Sequence, residues 1–193
     1  MVAEPVTARL DWAGIEARLD QDGYAILPGL LTADQVRELA RLPTMLPPWV
    51  AGLGAGVSRR LASIANRWSD ALGSDHRHPD QTRPQSNLAL LREGGYQELR
   101  HCAGAELVVA FQLTALLSEP GTEFTGGELV MVEQRPRMQS RPMVLPLDKA
   151  DAAIFATAHR PHKGSRGYYR TTLRHAVSRV RSGERLALDL VFH

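Results

Sequence analysis

The sequence predicts a mainly β domain preceded by a helical layer, and three observations carry that expectation. Apolar residues recur at helical spacing in the first third of the chain. From residue 86 onward the pattern changes to short apolar runs separated by Gly, Pro or charged turns, as in an all-β sandwich or barrel. A length of 193 residues supports one substantial core, and no internal repeat or low-complexity segment divides it.

Taken in order, Leu10, Ile15 and Leu19 mark a first helix that Gly23 closes, and YAIL is a short strand. TADQVRELARL opens with Thr32 and Gln35 at capping-box spacing and stops before Pro43. PTMLPPWVAGLGAG is rich in Pro and Gly and reads as a loop. VSRRLASIANRWSDALG carries an apolar stripe of Leu61, Ile64, Ala65, Trp68 and Leu72, with Gly73 as its stop. SDHRHPDQTRP reads as a polar loop, so His76 and His78 are expected in solvent rather than on a metal. NLALLRE, LVVAFQLTALLSE, ELVMVEQ, MVLPL, AAIFATA, YYRTTLRHAVSRV and RLALDLVFH then supply roughly eight strands, and the Gly pair in GTEFTGGEL reads as a hairpin turn. Helices come first, and a β-core follows on which one helical layer packs.

Composition bounds the function. A hydrophobic share of 44% and a charged share of 23% are those of an ordinary globular chain. No run approaches the ~20 apolar residues that span a membrane, and no secretory signal is visible at the N-terminus, so a cytoplasmic protein without membrane partners is expected. The single cysteine, Cys102, suits a reducing compartment. A net charge of +2 gives no argument for nucleic acid, and none is expected as a partner. Arginines crowd the stretch from Arg135 to Arg185; they form a solvated face or a pocket for an acidic small molecule, whose carboxylate a guanidinium fork matches. Oligomeric state is not legible.

Several blocks are particular to one family: LLSEPGTEFTGGELVMVEQRPRMQSRP, the strand from Asp151 to Phe155, RGYYRTTLRHAVSRVRSGERLALDLVFH and, more faintly, IANRWSDALG. Through them the chain from Gly23 onward resembles the 2-oxoglutarate and Fe(II)-dependent oxygenases, nearest to the bacterial prolyl-hydroxylase-like group. The resemblance implies a double-stranded β-helix, a cupin-like jelly roll, packed against N-terminal helices. One domain spans residues 1–193, with a mostly helical layer over 1–85 and the jelly-roll core over 86–193. The family holds iron with two His and one carboxylate on one face of the metal, leaving positions for 2-oxoglutarate and dioxygen. Carried over, the second His is His175 in LRHAVSR, and the Arg that anchors the far carboxylate of 2-oxoglutarate is Arg185 in SGERLAL.

The first two ligands depart from the family. There a Tyr is followed four residues later by His-x-Asp, and a Glu-Leu pair closes the segment. Counting from Tyr96, or back from Glu106 and Leu107, places Arg100 at the His position and Cys102 at the Asp position, with His101 between them. Strand parity turns His101 away from the pocket and brings a guanidinium inward, which has no lone pair for a metal. On this count the iron site is degenerate and metal-free chemistry is favoured over Fe(II) with 2-oxoglutarate. Arg100, His101 and His175 form the altered catalytic site, Arg185 and Tyr96 the cofactor or ligand contacts. Such a protein acts on or binds an anionic small molecule without iron redox chemistry, as an enzyme of altered activity or as a non-catalytic binding or scaffold protein.

A one-residue slip through a bulge gives the alternative. His101 becomes a ligand with His175, Ala103 stands where the carboxylate was, and the pattern resembles the iron and 2-oxoglutarate halogenases. Other chemistries have less support. Ser178, His175 and Asp189 lack any nucleophile-elbow sequence, Cys102 beside His101 on a strand reads as an inert thiol, and LGAGV lacks the Lys of a phosphate loop.

Overall fold

The structure is a computed structural model and describes residues 6–41, 45–78, 84–102 and 110–192. A short 3-10 turn, Val6–Arg9, leads into helix α1, Trp12–Asp22. The Asp11 carboxylate accepts from the Gly14 N–H at 3.0 Å and so caps the first turn of α1. Gly23, at φ +81°, ends it by donating its N–H to the Leu19 carbonyl at 2.9 Å, a conformation that suits glycine. Strand β1, Tyr24–Leu27, follows, and then helix α2, Ala33–Ala40. The capping box of α2 forms as the spacing predicts, with Thr32 and Gln35 each satisfying the other's backbone N–H.

Helix α3, Pro48–Ala71, departs from the expectation of a loop over PTMLPPWVAGLGAG. Pro48 sits at its first position, where the missing N–H has no partner to lose. Two of its three glycines answer to packing: a Cβ on Gly54 would lie 2.5 Å from Pro84 Cγ, and one on Gly56 would lie 2.7 Å from Thr7 Oγ1, whereas Gly52 faces open space. Composition marked a break where tertiary contact required small residues.

Ten strands follow: β2 (Gln85–Arg92), β3 (Gln97–Arg100), β4 (Phe111–Leu116), β5 (Phe124–Gly126), β6 (Leu129–Gln134), β7 (Arg141–Leu145), β8 (Ala152–Ala156), β9 (His159–Gly164), β10 (Gly167–Val177) and β11 (Val180–Phe192). Every strand pairing is antiparallel, and the strands form two sheets. One runs β1-β8-β4-β11-β2 with β5 on β11, the other β3-β10-β6-β7 with β9 on β10. This is the jelly roll, with its helical layer on the first sheet. Trp68 of α3 meets Phe111 of β4 with ring centroids 5.1 Å apart, and both are sealed.

The segment HRPHKG, not among the runs read as strands in the sequence, is β9, because the hairpin with β10 supplies its backbone partners. The Gly pair does not join a hairpin: β5 pairs β11 and β6 pairs β10 and β7, so Gly126 and Gly127, at φ +70° and +66°, pass the chain between sheets. His78 is also not in solvent. It is 7% exposed, its N–H donates to Asn66 Oδ1 at 2.7 Å, and burial followed by the neighbouring His76 lowers its pKa to about 4. Among the described residues no helix is long and apolar enough to cross a membrane.

Candidate functional site

In β10 the alternation of the pleat buries Thr171, Leu173, His175 and Val177. In β11 the same alternation puts Leu186, Leu188 and Leu190 on one face and Arg185, Ala187 and Asp189 on the other. The short strand β3 lies beside β10 with Arg100 directly opposite His175. Opposed residues share a face, so the Arg100 side chain reaches the imidazole and its Nε–H donates to His175 Nε2 at 3.3 Å. Phe155 of β8 packs on the other side of the ring, with centroids 5.3 Å apart.

The hydrogen bond makes Nε2 the acceptor and puts the imidazole proton on Nδ1, which is buried without a partner among the described residues. Burial, and then the charge of Arg100, lowers the His175 pKa to about 4. The ring is therefore neutral at pH 7. Arg100 itself is exposed.

Asp189 is a member of this interior that the sequence offered only in an unsupported triad with Ser178. It is 5% exposed, and its Oδ1 accepts from Thr114 Oγ1 at 2.6 Å; Thr114 in turn accepts from Gln112 Nε2 at 3.1 Å. Burial raises its pKa, opposed by that hydrogen bond and by the charges of Arg185 and Arg100. Counting by two from Arg185 would have placed it on the inward face. Ser178 is elsewhere: its hydroxyl donates to the Glu128 carboxylate, and no triad assembles.

The remaining candidates separate. His101 is exposed just past the end of β3, and its ring neighbour is His159, at 6.4 Å between centroids. Cys102 is partly buried, and its N–H donates to the Thr157 carbonyl at 2.8 Å. Tyr96 is 54% exposed and lines a shallow depression with Leu99 and Ala176, away from Arg185. Ala103, Glu106 and Leu107, on which the slipped motif and the second count rest, lie outside the described residues. Arg185 is 2% exposed and borders a cavity of about 390 Å³.

A family model described as "Oxygenase, catalysing oxidative methylation of damaged DNA" matches residues 38–193. The chain belongs to that family of oxygenases. It is also 34% identical over 170 residues to an uncharacterised protein of Mycobacterium tuberculosis, Rv2227 of strain H37Rv and MT2286 of strain CDC 1551. That match covers 81% of this chain and 73% of the mycobacterial one. Among solved structures, a Pseudomonas putida prolyl-4-hydroxylase superposes with a TM-score of 0.65 at 16% identity, covering 95% of both chains. The non-heme α-ketoglutarate-dependent epimerase SnoN of nogalamycin biosynthesis gives 0.60 at 16% identity, over 94% of this chain and 82% of its own. HygX from Streptomyces hygroscopicus, solved with iron bound, gives 0.57 at 12% identity, over 93% and 85%. These structures share the fold with this chain, which is thus a 2-oxoglutarate and Fe(II) oxygenase-fold protein of the prolyl-hydroxylase-like type.

Among the described residues, the donor set beside His175 does not fit the iron that the Fe(II)-dependent structural relatives carry. The lone pair of Nε2 is engaged by Arg100, and a guanidinium neither donates to a metal nor tolerates a divalent cation beside it. Among the described residues no group of three His, Cys, Asp or Glu side chains is placed to hold a metal ion.

Proposed function

We propose that this chain is a divergent oxygenase-fold protein in which the Arg100 guanidinium replaces the metal beside His175. It binds or converts an anionic small molecule without iron redox chemistry. The observation that carries this reading is the 3.3 Å hydrogen bond from Arg100 Nε to His175 Nε2, made possible by their opposed register. With Nε committed, the Nη groups of the exposed Arg100 remain for a carboxylate or a developing oxyanion, beside a neutral, buried imidazole.

Metal analysis of protein purified without chelator tests this, followed by anaerobic titration with Fe(II) and 2-oxoglutarate. The expected result is no stoichiometric metal and no metal-dependent absorption band, with Fe(II) binding gained in the double variant Arg100→His, Cys102→Asp. Stoichiometric Fe(II) in the wild type, lost in His101→Ala, would overturn it and install the slipped ligand set; a chloride-dependent iron spectrum would make that protein a halogenase.

A second reading, an iron oxygenase acting on damaged DNA as the family description has it, is favoured by one feature. From Ala152 to Gly183 the chain carries Arg and Lys but no Asp or Glu. Salt-dependent binding of a DNA duplex, absent under the first reading, decides between them.

A further inference from the structure

The cavity beside Arg185 is walled by Leu116, Phe124, Leu129, Leu145 and Leu147, and Arg185 is the one cation that lines it among the described residues. Its guanidinium is 2% exposed, forms no ion pair within 4 Å among those residues, and leaves Nε buried without a hydrogen-bond partner. A sealed cation against an apolar box wants one negative charge and no second polar group. Gly127 is shaped to allow it: a Cβ there would lie 2.9 Å from Arg185 Cδ, so only glycine lets the arginine stem lie along the cavity wall.

We propose that this cavity is a binding site for a monocarboxylic acid with an apolar body, its carboxylate on Arg185 and its hydrocarbon among the leucines. The inference rests on the reading above in one respect: with Arg100 on His175, no metal on that side calls for the keto acid end of 2-oxoglutarate. A dicarboxylate fits poorly for a separate reason. Its second carboxylate would lie among Leu129, Leu145 and Leu147, beside the Glu128 carboxylate, or at the Thr125 hydroxyl, which is already paired with Ser182 Oγ at 2.7 Å. The volume of about 390 Å³ falls in the range of small-ligand pockets, roughly 300–1,000 Å³.

Calorimetric titration of the full chain with decanoate, decanol and 2-oxoglutarate tests the site, in wild type, Arg185→Met and Val144→Trp. Val144 lines the cavity but is 58% exposed, so the tryptophan fills space without replacing a sealed residue. Decanoate is expected to bind the wild type at least tenfold more tightly than decanol or 2-oxoglutarate, and to lose at least tenfold in each variant. Equal or tighter binding of 2-oxoglutarate, equal binding of decanol, unchanged decanoate binding in both variants, or no decanoate binding at millimolar concentration would each overturn the proposal. Iron binding in the preceding experiment would sink the metal-free reading and leave this selectivity measurement standing, so the two failures are distinct.

Discussion

Arg160 and Arg185 are both sealed, at 1% and 2% exposure, yet they have opposite surroundings. Arg160 donates through Nη2 to Glu133 Oε2 at 2.6 Å and through Nη1 to the Asp20 carbonyl at 2.7 Å, and Glu133, itself 1% exposed, also accepts from Arg135. Burial alone would raise the Glu133 carboxyl, but the hydrogen bonds from Arg160 and Arg135 hold it below its usual value. Among the described residues Arg185 has no such partner: burial lowers its pKa, opposed by the charge of Asp189, which lies beyond ion-pair distance. The difference separates a buried cation that joins α1 to the sheets from one with no carboxylate in ion-pair reach among the described residues. Burial does not distinguish the two; the presence of a carboxylate does.

The largest expected effect follows from breaking the paired side. Glu133→Ala leaves Arg160 buried and uncompensated and should cost about 3–5 kcal/mol in denaturant unfolding. A smaller loss would mean that Arg135 or water rescues the site.

Acidification probes groups sealed by giving up their charge. His78 and His175 each have a pKa of about 4 in the folded chain, below the ordinary 6.5. As pH falls below about 6.5, the unfolded chain takes up protons that these rings refuse, so stability drops between pH 6.5 and about 4 and levels off below. Each ring contributes at most about 3 kcal/mol of that loss. His78→Gln should flatten the stability profile over this window, and an unchanged slope would show that the ring is solvated.

Arg185→Met sharpens the contrast from the unpaired side. Without ligand it should change stability by less than about 1 kcal/mol, or stabilise, because it removes a buried charge that no carboxylate among the described residues pairs with. A loss as large as that of Glu133→Ala would make Arg185 a structural residue like Arg160.

The smallest effect is on the backbone. Ala150 holds φ +77° and is kept there by bonds from its N–H to the Leu116 carbonyl at 2.9 Å and from the Leu31 N–H to its own carbonyl at 3.1 Å. Ala150→Gly relieves the left-handed strain and loosens the unfolded chain, for a net gain of about 1 kcal/mol or less, read as a small rise in Tm.

Local physics made much of the fold legible. The capping box at Thr32 and Gln35, the glycine stop at Gly23 and the apolar stripe of α3 each need only a few neighbouring residues to act, and each stands where the spacing put it. The start of α3 and strand β9 were hidden because their causes are distant: Gly54 answers to Pro84, and HRPHKG is a strand only because β10 pairs it. The candidate site divides the same way. Parity along β11 puts Asp189 on the face of Arg185, information present in the sequence but unused, whereas the hydrogen bond from Arg100 to His175 depends on two strands 75 residues apart meeting in register.

The sequence by itself determined which residues are available: His175 and Arg185 in the last two strands of the core, and Arg100 on a short strand that precedes them. Tertiary structure alone decided what they meet. Strand pairing set Arg100 against His175, the turn at Gly126 and Gly127 laid an apolar wall beside Arg185, and among the described residues no carboxylate came within ion-pair reach of that buried charge. Local preferences act through bonds a few residues long, but neutralising a buried charge requires a partner that only the folded chain, or a ligand, can bring to it.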